Sequence, residues 1–217
     1  MANRKVNFVE GEYYHVYNRG VDKRSIFNDN KDTNRFFQSM MEFNVKDPIG
    51  SIYENSLLKE DNLKPNPLVS FIAYCLNPNH YHFILTPMIE KGLESFMQRL
   101  GTGYTLYFNN KNKRSGSLFQ GNFKASHIDS NEYLLHVSAY VNLNDKTHQL
   151  GGETSKLVRS SWNEYIEAHP SNGICDKNII LEQFKNFTEY KDFALSSLED
   201  ILERKEAEKE LRTILID

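Results

Sequence analysis

The residues in this chain whose types and spacing best suit chemistry are His80 and His82, in the run Asn79-His80-Tyr81-His82-Phe83-Ile84-Leu85. The flanking residues read as a β-strand. Side chains of a strand alternate faces with a period of two, so His80 and His82 project the same way. Two imidazoles on one face can ligate one metal ion. The same pair also fits strand histidines that are merely hydrogen-bonded. A metal site needs at least a third donor, and none lies nearby in sequence, so it must come from elsewhere in the fold.

A predicted helix over 131–143 offers one. Tyr140 and Asn144 are spaced i, i+4, which puts them on one face one turn apart. Asn144 could supply an amide oxygen to a metal, with the Tyr140 phenol about one turn away. A phenol titrates near 10 and is a poor nucleophile unless assisted. A divalent ion on a phosphate oxygen would neutralise charge and stabilise the transition state of attack. The same spacing equally fits a core tyrosine and a C-capping asparagine, and spacing does not separate the two.

The elements that must position these groups follow from periodicity and turn residues. Tyr13 to Asn18 reads as a first strand, ended by Arg19-Gly20. Asp32 is a candidate cap for a helix reaching about Lys46, with Phe36, Phe37, Met40, Met41 and Phe43 inward. Asp47-Pro48-Ile49-Gly50 stops it. Residues 51–67 read as a loop with a short helical piece. Leu68–Leu76 and His80–Pro87 form a hairpin around Asn77-Pro78-Asn79. Leu93 to about Asn110 has helical spacing, weakened or kinked by Gly101 and Gly103. A basic loop, Lys111 to Gly116, leads to a fourth strand predicted over Ser117–Ile128. Ser130 then caps the helix carrying Tyr140. The order βαββαβ is the ferredoxin-like signature of an α+β fold, an antiparallel sheet with helices on one face. A catalytic-helix candidate and a helical C-terminal extension follow it. The division expected is a domain over 1–150 and an extension over 151–217. Leu195, Leu198, Ile201, Leu202, Leu211 and Ile214 predict a packed helix with a solvated face, or a dimerisation helix.

Composition narrows the class. Hydrophobic residues make up 39% and charged residues 25% of the 217, an ordinary globular mixture. No run of about 20 apolar residues exists, so a membrane span is not expected. Met1–Gly11 lacks the apolar core of a secretory signal. Two cysteines, Cys75 and Cys175, make no disulfide framework, so a cytoplasmic setting is expected. The net charge of −3 argues weakly against a nucleic-acid partner, but it hides an asymmetry. Residues 1–150 carry 17 basic and 15 acidic residues, whereas 151–217 carry 9 and 14. The first part is mildly basic, which permits phosphate contacts.

Several segments together resemble the single-tyrosine transposases of the HUH superfamily, closest to the branch associated with repetitive extragenic palindromes. They are Tyr14-His15-Val16-Tyr17-Asn18-Arg19-Gly20 with Ile26-Phe27, and Asn77-Pro78-Asn79-His80-Tyr81-His82-Phe83-Ile84-Leu85. Tyr104, Phe108-Asn109 and Gly116-Ser117-Leu118-Phe119-Gln120-Gly121 follow in order. Ala139-Tyr140-Val141-Asn142-Leu143-Asn144 resembles the catalytic helix, and Ser160-Ser161-Trp162-Asn163-Glu164-Tyr165 a block found after it. The likeness spans roughly residues 11–190.

The resemblance implies a transposase and single-strand endonuclease. His80, His82 and Asn144 would hold Mg²⁺ or Mn²⁺. Tyr140 would attack the scissile phosphate and form a 5′-phosphotyrosine. The implied partner is single-stranded DNA with hairpin or palindromic repeats, in a monomer or a homodimer. Arg19, Lys111, Lys113, Arg114 and Lys124 are the candidates for phosphate contact. Two departures stand out. Gln120-Gly121-Asn122-Phe123-Lys124 lacks an arginine common in relatives, and Asn144-Asp145-Lys146 lacks the proline that often follows the asparagine. The rival expectation is a non-catalytic, domesticated nucleic-acid binder on the same fold.

Overall fold

Strand alternation sets the two faces of the molecule. In β1 (Tyr13–Arg19), Tyr14 and Val16 are buried on one side, and His15, Tyr17 and Arg19 face the other. β1 is followed by α1 (Asn30–Glu42), α2 (Ile52–Leu57), β2 (Val69–Asn77), β3 (His80–Pro87), α3 (Gly92–Lys111) and β4 (Lys124–Ile128). The rest is α4 (Asn131–Asn142), α5 (Asn144–Thr147), β5 (Arg159–Ser160), α6 (Trp162–Ile166), α7 (Asn178–Leu181) and α8 (Phe187–Ile214). This computed structural model describes residues 6–57, 66–148, 152–167 and 173–214. Leu211 and Ile214 fall where side chains are outside the described residues. No helix among the described residues is long and apolar enough to cross a membrane.

The strands form one antiparallel sheet in the order β4-β1-β3-β2-β5. Its first four strands are the ferredoxin-like arrangement expected of an α+β chain. α1 and α3 cover one face, where Tyr14, Val16, Phe71, Tyr74, Leu76, Tyr81, Phe83 and Leu85 meet Phe36, Met40, Phe96 and Tyr104. The other face is covered by α4 and α8, where Ala73, Cys75, Ile84 and Ile128 meet Leu134, Val141, Tyr190 and Ala194. A bulge between Phe71 and Ala73 shifts the register of β2 against β3. Ile72 and Ala73 therefore both pack on the α4 side, and Cys75 and Asn77 beyond them share the face of His80 and His82.

Four local expectations change. The cap of α1 is Asp29, whose carboxylate accepts from Asp32 N at 3.0 Å. Asp32 itself is fully buried and pairs with Lys111 at 2.6 Å. α1 stops at Glu42, because the Asn44 side chain bonds both the N–H and the carbonyl of Val69, at 2.9 and 2.8 Å. On that helix Met41 is 46% exposed, not inward. The fourth strand forms a continuous ladder only over Lys124–Ile128, with one isolated bridge from Phe119 to Gly20, since Gly116 and Gly121 adopt φ +85° and +70° and turn 117–123 into an irregular loop.

α3 runs unbroken through its glycines. A Cβ at Gly103 would lie 2.6 Å from the Phe43 ring, so glycine there permits close packing of α1's end on α3. Early α8 packs on α4, with Tyr190, Ala194 and Ser197 buried and Leu195 and Leu198 half-buried against the same core.

Candidate active site

The β1–β3 register pairs Tyr17 with His82 and Arg19 with His80. Directly opposed residues share a face, so one patch collects His15, Tyr17, Arg19, His80 and His82. α4 crosses this face. Ser130 caps it by accepting from Tyr133 N, and Leu143 interrupts it with non-helical angles before α5 begins at Asn144. A buried network fixes the helix. Asn142 donates to the Tyr190 hydroxyl at 2.8 Å and accepts from Ser161 Oγ at 2.5 Å, while Ser161 Oγ accepts from Tyr74 N at 2.9 Å. With that side of α4 held, Tyr140 is delivered to the patch, its ring 5.4 Å from His82 and 5.9 Å from His15, edge-on to both.

Asn144 is fully buried, and its Oδ1 accepts from Asn77 Nδ2 at 2.8 Å. The same oxygen lies 3.0 Å from His80 Nε2. The His80 tautomer is set from behind. Asn79 Nδ2 donates to the Lys23 carbonyl, which turns Asn79 Oδ1 toward His80 Nδ1 at 2.6 Å. An amide oxygen only accepts, and this is the shorter of the ring's two amide-oxygen contacts, so Nδ1 carries the proton and the Nε2 lone pair accepts from Asn77 Nδ2 at 3.0 Å. Two electron-rich atoms, His80 Nε2 and Asn144 Oδ1, therefore face each other, bridged on one side by Asn77 Nδ2. Asn144 Nδ2 is buried without a hydrogen-bond partner. The Tyr140 hydroxyl is within electrostatic reach of that amide, though outside hydrogen-bond geometry.

These groups fit a hard divalent cation. His80 Nε2 and Asn144 Oδ1 stand 3.0 Å apart, a nitrogen and an oxygen donor of the kind such an ion would take. Among the described residues no group of three His, Cys, Asp or Glu is arranged to hold a metal, so a cation here would have to recruit the amide oxygen. Burial, and for His82 the neighbouring imidazoles, push the His80 and His82 pKa values down, keeping both rings in the neutral, ligating form. Burial lowers His15 and His148 to about 4. Burial raises the Tyr140 pKa, and the Asn144 amide partly offsets this.

The site opens as a cleft of about 600 Å³. Its rim carries Arg19, Lys23 and Lys124, and its wall includes Gln120 and His148. Arg19 Nε donates to Gln120 Oε1 at 2.5 Å. Of the five predicted phosphate-contact residues, the cleft thus holds Arg19 and Lys124. Lys111 is engaged with Asp29 and Asp32 at 2.8 and 2.6 Å. Arg114 braces its own loop through Asn109 Oδ1 and the Ser117 carbonyl, at 2.7 and 3.0 Å. Lys113 is exposed and does not line the cleft. Sequence reasoning did not single out His15, Tyr17, Asn77 or His148. Period two in β1 would have put His15 and Tyr17 on the face of Arg19, and His148 follows Asn144 by four residues.

Residues 59–144, which contain all four of His80, His82, Tyr140 and Asn144, match the model of the family described as "Transposase IS200 like". No curated protein matches the chain. Among solved structures, the chain is similar to the "REP associates tyrosine transposase bound to a REP hairpin", with a TM-score of 0.55 and 14% identity. The likeness covers 81% of this chain and 94% of that one. At that identity it establishes the shared fold. The matched segment, less than half of the chain, is similar to the IS200-like transposases and carries every residue of the candidate ligand and nucleophile set.

Proposed function

We propose that this protein is an IS200-like, HUH-type tyrosine transposase that cleaves and rejoins single-stranded DNA through a 5′-phosphotyrosine on Tyr140. The observation that carries the proposal is the meeting of Tyr140 with His82 at 5.4 Å, in a cleft that also presents His80, Arg19, Lys23 and Lys124. Tyr140 Oη attacks the scissile phosphorus and the P–O3′ bond breaks. The phenolic proton is given up to solvent, and the leaving oxygen is protonated as a 3′-OH. Attack by a 3′-OH on the phosphotyrosine then rejoins the strands and frees the phenol. One high-energy bond replaces another, so no nucleotide cofactor enters. His80, His82 and Asn144 are the proposed ligands of Mg²⁺ or Mn²⁺, which when bound would neutralise charge on the scissile phosphate.

Arg19, Lys23 and Lys124 would fix the register of the strand through its phosphates. The Tyr17 ring, stacked on His82 at 5.5 Å, offers an apolar surface for an unpaired base beside the cleft. Hairpin or palindromic repeat ends are the proposed substrate, because the similar structure holds a hairpin. Tyr140 meets His82 of its own chain, which favours attack in cis.

The test is adduct formation. Purified protein is incubated with a hairpin-flanked single strand and Mn²⁺, then run on a denaturing gel. Wild type should give a covalently shifted band and Tyr140→Phe none. A band that persists in the variant would overturn the assignment.

A further inference from the structure

Behind the proposed ligand His82 stands a third histidine with no assigned role. His15 Nε2 lies 2.8 Å from His82 Nδ1, with the two rings nearly parallel at 19°. The two residues are 67 positions apart and meet only because β1 and β3 pair. His15 is itself wedged between Tyr17, at 5.1 Å between ring centroids, and the edge of Tyr140, at 5.9 Å. Its ring therefore has little freedom to turn away.

One proton is shared between His15 and His82, and where it sits decides what His82 can do. If His15 Nε2 carries it, His82 Nδ1 is the acceptor and Nε2 of His82 holds the other proton, closed to a cation. If His82 Nδ1 carries it, His15 Nε2 accepts and His82 Nε2 presents a lone pair. A ligating histidine almost always donates its second N–H to an acceptor that orients it. Asn79 does this for His80 through an amide oxygen at 2.6 Å. The corresponding acceptor for His82 is a neutral imidazole.

We propose that His15 is a positioning residue for the metal site: it accepts the Nδ1 proton of His82 and thereby holds His82 Nε2 toward the cation. The inference rests on the assignment of His82 as a ligand. His15 touches neither phosphate nor ion, and its contribution is to the affinity and orientation of the ligand set. Its ring also packs on the edge of Tyr140 and so couples to the nucleophile, which means that substitutions must distinguish packing from acceptance of the proton.

His15→Phe keeps a ring and removes the acceptor, and His15→Gln restores an acceptor oxygen. Mn²⁺ binding to the full chain without DNA is read by electron paramagnetic resonance, with circular dichroism as a check of folding. His82→Ala should lose the site. His15→Phe should weaken Mn²⁺ about ten- to a hundredfold, and His15→Gln should recover most of that loss. Adduct formation by His15→Phe should also return when Mn²⁺ is raised to saturation, which a collapsed site would not allow. Affinity within twofold of wild type in His15→Phe, with binding lost in His82→Ala, would overturn the role of His15 alone. Wild-type affinity in His82→Ala would overturn the ligand assignment and the role of His15 with it.

Discussion

Asn144 Oδ1 and His80 Nε2 face each other at 3.0 Å, joining the start of α5 to the start of β3 across 64 residues of sequence. Both atoms carry lone pairs in the neutral state, and Asn77 Nδ2 is the donor that reaches both. Without a cation the arrangement is an incompletely satisfied polar pocket. A bound cation would satisfy both lone pairs at once.

Asn144→Asp tests that view through stability. The carboxylate is nearly isosteric with the amide and is a better ligand for a hard ion, but it buries a charge in the free protein. The variant should melt below wild type without metal and gain more than wild type from added Mn²⁺. Asn144→Ala should leave Asn77 Nδ2 short of its acceptor, cost about 1–3 kcal/mol and show no extra gain from Mn²⁺. Thermal melts with and without the ion separate these outcomes. An equal Mn²⁺ response in all three proteins would contradict the proposed ligand.

The basic residues divide into two roles. Removing Lys124 or Arg19 should reduce the salt dependence of single-strand binding, with the log–log slope falling by about 0.7 for each phosphate no longer neutralised. Their stability should hardly change, since both are exposed. Lys111→Ala should do the opposite. It strips a fully buried Asp32 of its ion partner, so denaturant unfolding should show a loss of about 2 kcal/mol with the DNA slope unchanged.

Two interior glycines of α3, Gly101 and Gly103, should respond differently to alanine. Nothing lies within 4 Å of a Cβ at Gly101, so Gly101→Ala gains helix propensity and should stabilise by about 0.5–1 kcal/mol. A Cβ at Gly103 meets the Phe43 ring at 2.6 Å. Overpacking of about 1–3 kcal/mol then opposes that gain, and Gly103→Ala should be neutral to destabilising. Phe43→Leu should relieve the clash in a double-mutant cycle. Stabilisation by Gly103→Ala equal to that at Gly101 would contradict the packing.

What the sequence carried legibly was local. Period two placed His80 and His82 together, and the caps and turns located the hairpin and α4 closely. What it could not carry was pairing at long range. His15 looks like any strand histidine until β1 pairs with β3, and Asn77 looks like a turn residue until α5 folds over it. The same cause misplaced the α1 cap. Asp29 and Asp32 are equally good capping residues, and Asp32 is drawn inward by Lys111, 79 residues away. The predicted fourth strand was too long because hydrophobic residues such as Leu118 and Phe119 are buried there in a loop. Tyr140 and Asn144 were singled out by family resemblance, since their spacing alone fits an ordinary core helix.

The central claim is that Tyr140 is the nucleophile. The most direct measurement is mass spectrometry of the protease-digested adduct formed with a hairpin-flanked single strand and Mn²⁺. A nucleotide 5′-phosphate is expected on the peptide containing Tyr140, with a free 3′-OH on the released strand. Modification of a different tyrosine, or cleavage that leaves no covalent peptide, would contradict it.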